Sequence, residues 1–144
     1  QAGVRGVAGM VRAGRYGLDA SYVLSANNQA CTIVQIESAA AVEQVDAIAQ
    51  VEGVDCLFIG TADLSASMGL LGQTGHNEVQ IAIGSVLQAC RRHSKAVGIF
   101  ATSVEQACHY RALGVMFIAL HSDTGWLVKG ATDAVEAFNR KSPN

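Results

Sequence analysis

Two carboxylates carry the strongest chemical hint in this 144-residue chain. Glu37 closes an apolar, β-branched run, Thr32-Ile33-Val34-Gln35-Ile36, and Asp63 follows a second run at Gly60-Thr61-Ala62. They stand one strand–helix unit apart. Adjacent parallel strands would bring them to one rim, where two like charges repel unless one is protonated or a cation lies between them. All-oxygen ligands suit a hard divalent ion such as Mg²⁺ or Mn²⁺. The competing expectation is that each carboxylate caps the helix that follows it. Gln35, two residues before Glu37, points to the same side of its strand. Gly60-Thr61-Ala62 reads as a turn with exposed backbone N–H groups, the kind that holds a carboxylate or phosphate. Of the four histidines, His93 and His109 fall in helical stretches and are expected on the surface, whereas His121 ends a strand and could face the site. No dinucleotide-binding glycine fingerprint, phosphate-binding loop or nucleophile elbow is present in the sequence.

These residues need a scaffold that gathers strand ends. Apolar runs at 32–36, 54–59, 97–100 and 115–120 alternate with helical spacing over 39–51, 78–93, 103–113 and 124–140. A glycine-rich loop is expected over 68–75. Ser103 with Gln106 forms a candidate capping box. The strands are near-continuous apolar runs, as in parallel sheets buried on both faces. Repeated strand–helix units give either an open doubly wound sheet or a (β/α)8 barrel. A full barrel takes about 250 residues, so four units amount to half of one. The expected fold class is therefore α/β, the C-terminal half of a (β/α)8 TIM-type barrel with parallel strands, forming one partial barrel domain over 1–144. Its first 18 residues read as an irregular loop, and a short helix follows over 19–28.

Composition narrows the partners. Half the residues are apolar and 15% are charged, which excludes a disordered chain. No apolar stretch approaches the roughly 18 residues of a helical membrane span. The net charge is −2, without a basic stripe for nucleic acid. The cysteines, Cys31, Cys56, Cys90 and Cys108, form no Cys-x-x-Cys pair. They are expected to be buried, reduced thiols in a cytoplasmic protein. The chain begins on Gln1 and carries one proline, Pro143, against fifteen glycines, as a piece of a longer protein could.

Val34-Gln35-Ile36-Glu37-Ser38, Val51-Glu52-Gly53-Val54-Asp55 and Phe58-Ile59-Gly60-Thr61-Ala62-Asp63-Leu64-Ser65 strongly resemble the HpcH/HpaI aldolase family. The likeness runs on through Gly75-His76-Asn77-Glu78-Val79-Gln80 to Phe117-Ile118-Ala119, and Gly3-Val4-Arg5-Gly6-Val7 looks like a family segment too. The resemblance implies a divalent-metal, class II aldolase. Such an enzyme cleaves 2-keto-3-deoxy sugar acids or 4-hydroxy-2-oxo diacids to pyruvate and an aldehyde. It implies Glu37 and Asp63 as metal ligands, Gln35 as a substrate contact, and the backbone at Ala62 and Asp63 as the holder of the pyruvate carboxylate. The family's base, a His, and an Arg that stabilises the transition state have no matching positions here, so this chain alone is expected to be inactive. Three residues depart from the family pattern: Thr61 and Asn77 replace prolines, and His121 replaces a glycine. A non-catalytic binding or assembly subunit and a citrate-lyase-type acyl-CoA lyase are the alternative readings. The expected partners are a small keto acid and further copies of the chain in a homo-oligomer, with Leu127, Val128, Ala131, Val135 and Phe138 on the apolar face of the last helix.

Overall fold

The computed structural model describes residue 4 and residues 6–141. The expectations on Gly3, Arg5 and Pro143 lie outside the described residues. The chain divides into two units, Gln1–Cys31 and Thr32–Asn144. In the first, the expected irregular loop contains a 3-10 turn over Arg12–Gly17, in which Arg15 and Tyr16 take left-handed φ values of 49° and 56°. Helix α1 spans Tyr22–Gln29, starting later than the sequence suggests, and buries none of its residues.

The second unit is built from strands β1 (Ile33–Ile36), β2 (Cys56–Ile59), β3 (Ala96–Ala101) and β4 (Phe117–Leu120). They form one sheet in the order β1-β2-β3-β4, and all pairings are parallel. A doubly wound sheet reverses its strand order at a switch point. This sheet does not, and right-handed crossovers between strands in sequential order place every connecting helix on the same face, as along the arc of a barrel.

Ile36, Leu57, Ile59, Val97, Ile99 and Ala101 are buried in the core cluster, joined there by Val79, Ile83, Val86 and Cys90. The last four lie on helix α5 (Asn77–Arg92), whose buried residues recur at helical spacing. The opposite parity carries Ile33, Gln35, Phe58, Phe100 and Phe117, with Ile33 and Phe117 exposed at 46% and 44%. Gln35, Phe58, Gly98 and Phe117 fall in one row across the sheet. Phe58 and Phe117 meet edge to face, ring centroids 5.5 Å apart, over Gly98. A Cβ on Gly98 would lie 2.6 Å from Phe58 Cδ2 and 3.0 Å from Phe117 Cδ1, so the aromatic pair depends on that glycine.

Local chemistry sets the helix boundaries. The single helix expected over 39–51 is two, α2 (Ala39–Glu43) and α3 (Val45–Gln50), broken where Gln44 takes φ −96°, ψ 6°. After the break α3 packs on α5, and both Val45 and Ala49 are buried. Ser38 caps α2, its Oγ accepting the Ala41 N–H at 3.2 Å. Helix α4 spans Thr61–Ser67. Helix α6 (Val104–Ala112) has the cap that the sequence indicates: Ser103 Oγ accepts the Gln106 N–H at 3.2 Å. The Gln106 side chain, however, accepts from the N–H of Thr102, at 2.8 Å, one residue before the cap. Helix α7 (Asp123–Lys141) buries none of its residues, and Leu127, Val128, Val135 and Phe138 are exposed.

Two surface expectations are corrected. Cys31 and Cys108 are exposed, and only Cys56 and Cys90 are buried. Cys31 precedes β1 and never joins the ladder, so its apolar neighbours in sequence do not bury it. His93, expected on the surface, keeps only 23% of its side chain exposed and lies 2.8 Å from Asp46. Asp46 on α3 also takes the guanidinium of Arg92 at 2.8 and 2.9 Å. Those bonds from Arg92, then the one from His93, hold the Asp46 carboxyl below the usual carboxylate range. No described helix is long and apolar enough to cross a membrane.

Candidate active site

The carboxyl ends of β1, β2 and β3 surround a cavity of about 220 Å³. Gln35, Phe58, Gly60, Thr61, Ala62, Asp63 and Phe100 line it. Three of the expected residues, Gln35, Ala62 and Asp63, thus share one wall. The fourth, Glu37, does not line it but lies beside two residues that do, Gln35 and Gly60. The ladder pairs Ile36 with Ile59, which brings Glu37 opposite Gly60. Gln35 Nε2 donates to Glu37 Oε2 at 2.6 Å. A charge-assisted bond this short fixes the carboxylate's orientation.

Gly60 makes this arrangement possible. A Cβ there would lie 3.0 Å from Glu37 Cβ and 3.1 Å from both Gln35 Nε2 and Glu37 Oε2. The glycine leaves the space in which the amide and carboxylate meet. Beyond it the chain enters α4 at once, so Thr61 and Ala62 are its first helical residues and not the open turn expected from sequence. Gly60 is the N-cap and offers no side-chain bond, which is why the sequence gives no helix-start signal. Asp63 sits in the first turn, where the helix dipole favours negative charge.

Neither carboxylate is a cap. Ser38 caps α2, and Gly60 precedes α4. Among the described residues neither Glu37 nor Asp63 forms an ion pair. Two carboxylates thus stand at one rim without a compensating protein cation, a donor set that fits a hard divalent ion. Among the described residues no group of three or more His, Cys, Asp or Glu could hold a metal ion, so water and substrate would complete the shell.

The two positions where a proline is replaced turn out to be equivalent. Thr61 is the first residue of α4 and Asn77 the first of α5. The first helical position is where proline is tolerated because that N–H has no intrahelical acceptor. Other residues fit there too, and both helices form. His121 is different: it takes φ 62° immediately after β4.

Sequence reasoning missed Phe58 and Phe100 as cavity walls. Strand parity could have found them, because Phe58 pairs with Gln35 and Phe100, two residues beyond Gly98 on β3, points to the same face of the sheet. Cys90 is excluded as a nucleophile. Burial, with Cys56 nearby, pushes its thiol up to about 11, and a thiol must ionise to attack.

Comparison with known proteins identifies the family of the chain. Over 134 residues the chain is 47% identical to a hydroxypyruvate/pyruvate aldolase of Paraburkholderia phytofirmans, covering 93% of this chain and 52% of that protein. It is 40% identical over 142 residues to a 4-hydroxy-2-oxo-heptane-1,7-dioate aldolase of Klebsiella pneumoniae, covering 98% of this chain and 54% of the other. The crystal structure of an HpcH/HpaI aldolase/citrate lyase family protein from Burkholderia cenocepacia superposes with a TM-score of 0.90 at 44% identity, over 95% of this chain and 53% of that one. The chain spans about half the length of the curated relatives it matches. Its four sequential parallel strands are accordingly half of a TIM-type barrel. The family model for HpcH/HpaI aldolase/citrate lyase matches residues 1–130, and the chain belongs to that family.

Proposed function

We propose that this chain carries the metal- and pyruvate-binding half of a divalent-metal-dependent class II aldolase. Its substrates are 2-keto-3-deoxy sugar acids or 4-hydroxy-2-oxo diacids, cleaved to pyruvate and an aldehyde. One observation carries the reading: Glu37, directly after β1, and Asp63, in the cavity wall after the adjacent parallel strand β2, neither cap a helix nor pair with a protein cation among the described residues. Glu37 and Asp63 would hold Mg²⁺ or Mn²⁺. When bound, the cation supplies Lewis-acid polarisation of the 2-keto oxygen.

The chain's own residues do the remaining work. Gln35 orients Glu37 through its 2.6 Å bond and presents its amide to the cavity, where it would contact the substrate. The backbone at Ala62 and Asp63 would receive the pyruvate carboxylate. Phe58 and Phe100 wall the cavity with apolar surface and keep water from the keto group. Cleavage also needs a base for the C4 hydroxyl proton. Among the described residues Asp63 is the one titratable group lining the cavity, and a carboxylate held on a cation is a poor base. The base and the transition-state Arg would come from the other half of the barrel. The exposed apolar stripe of α7 supports assembly with further copies of the protein.

The test is pyruvate release from 4-hydroxy-2-oxo-heptane-1,7-dioate, followed with lactate dehydrogenase and NADH. The chain is assayed alone and reconstituted with the N-terminal half of the Paraburkholderia relative. Activity that needs both halves and Mn²⁺, and that chelation abolishes, is expected. Robust pyruvate release by the 144-residue chain alone, or activity indifferent to chelation, would overturn the reading.

A further inference from the structure

His121 combines three constraints that nothing in the metal and pyruvate site requires. Its backbone sits at φ 62°, a region non-glycine residues enter at a cost and keep only where the surroundings enforce it. The ladder supplies that enforcement: the His121 N–H donates to Ala101 O at 2.8 Å, one step past the Ala101–Leu120 pair. Its ring is fixed as well. Nδ1 accepts the N–H of Ser122 at 3.0 Å, and the ring centroid lies 4.9 Å from that of Trp126. The ring fills a slot that exists because residue 125 is glycine, since a Cβ there would overlap Cε1 and Nδ1.

A ring nitrogen that accepts carries no proton, so the proton sits on Nε2 and makes it a donor. Among the described residues Nε2 has no hydrogen-bond partner. The residue stands at the carboxyl rim beside Thr102, two residues beyond Phe100, a wall of the cavity. His121 thus brings an unpartnered donor on a strained backbone to this rim.

We propose that His121 is a specificity-determining residue: its Nε2–H hydrogen-bonds an oxygen carried beyond C3 of the 2-oxo acid, selecting oxygenated chains over plain alkyl ones. The proposal rests on the aldolase reading of the cavity. It is tested by titrating the 144-residue chain, with Mg²⁺ present, with 4-hydroxy-2-oxobutanoate and 2-oxobutanoate, which differ by one hydroxyl. Calorimetry gives affinities, and ¹H–¹⁵N NMR reads the backbone at Gly60–Asp63 and the His121 ring. Both acids should shift Gly60–Asp63, and only the hydroxy acid should shift the His121 Nε2–H. The hydroxy acid should bind about two- to tenfold tighter, the range for one neutral hydrogen bond. His121→Gly, which suits the left-handed backbone, should erase that preference and leave 2-oxobutanoate affinity within about twofold. His121→Asn, which tolerates this φ and keeps a side-chain donor, should retain part of the preference. Shifts at Gly60–Asp63 with a silent His121, or an affinity ratio that His121→Gly leaves unchanged, overturn the proposal while sparing the aldolase reading. Failure of both acids to shift Gly60–Asp63 overturns both.

Discussion

Replacing Gly60 with alanine puts a methyl carbon 3.0 Å from Glu37 Cβ and 3.1 Å from Gln35 Nε2 and Glu37 Oε2. Ordinary carbon contacts begin at about 3.5 Å, so the neighbours must yield by several tenths of an ångström. Glu37 follows β1 directly, and its Cβ can move only with its own backbone. The relief must come from the Gln35 amide and the Glu37 carboxylate, and their 2.6 Å bond is lost or lengthened. Mg²⁺–oxygen distances are about 2.0–2.1 Å and tolerate roughly ±0.2 Å, so this displacement exceeds what a bound ion accepts. Disturbing the partner that orients a ligand lowers metal affinity by about 10–100-fold. Overpacking costs about 1–3 kcal/mol, offset in part by the lower entropy of an unfolded chain with alanine. Isothermal titration with Mn²⁺ should therefore show Gly60→Ala binding about 10–100-fold more weakly, while urea unfolding moves by about 2 kcal/mol or less. Unchanged affinity in a folded variant would refute the claim that this glycine sets the carboxylate's position.

Two other glycines should respond with opposite signs: Gly84 in α5 has open space around its Cβ position, so Gly84→Ala should stabilise by about 0.5–1 kcal/mol, whereas Gly98→Ala, driven into Phe58 and Phe117, should destabilise by about 1–3 kcal/mol, both read by urea unfolding. Asp46 has a folded-state pKa below its unfolded value of about 3.9, so the stability it contributes is present above about pH 4 and is lost as pH falls through the lowered value. Asp46→Asn should therefore be less stable than the parent near neutrality, and the two acid-unfolding curves should converge at the lowest pH. A thiol reagent applied to the native chain should label the exposed Cys31 and Cys108 and leave Cys90, buried and raised to about 11, unlabelled until unfolding, as peptide mass mapping would show.

The parallel α/β framework was readable because β-branched runs and helical spacing are local signals. Ser103 marked a helix start for the same reason, its hydroxyl bonding three residues on. Glu37, Gln35 and Asp63 stood out because strand ends are where such folds place chemistry. What escaped had no local mark. Helix α4 begins after Gly60, which caps without a side chain, so Thr61 and Ala62 read as a turn. His93 meets Asp46 across 47 residues of sequence, and no window reveals that pair. Gln44 is an unremarkable helix former, yet packing of Val45 and Ala49 against α5 breaks the helix there. The role of Gly60 as a spacer emerges only from the register of β1 on β2.

The most direct test of the account is the stoichiometry of Mn²⁺ binding to the 144-residue chain, followed by electron paramagnetic resonance of the free ion. One Mn²⁺ per chain is predicted, lost in Glu37→Gln and in Asp63→Asn, and retained in Asp46→Asn, whose carboxylate is already held by Arg92. Binding that survives both Glu37→Gln and Asp63→Asn would contradict the assignment of these two carboxylates as the metal site.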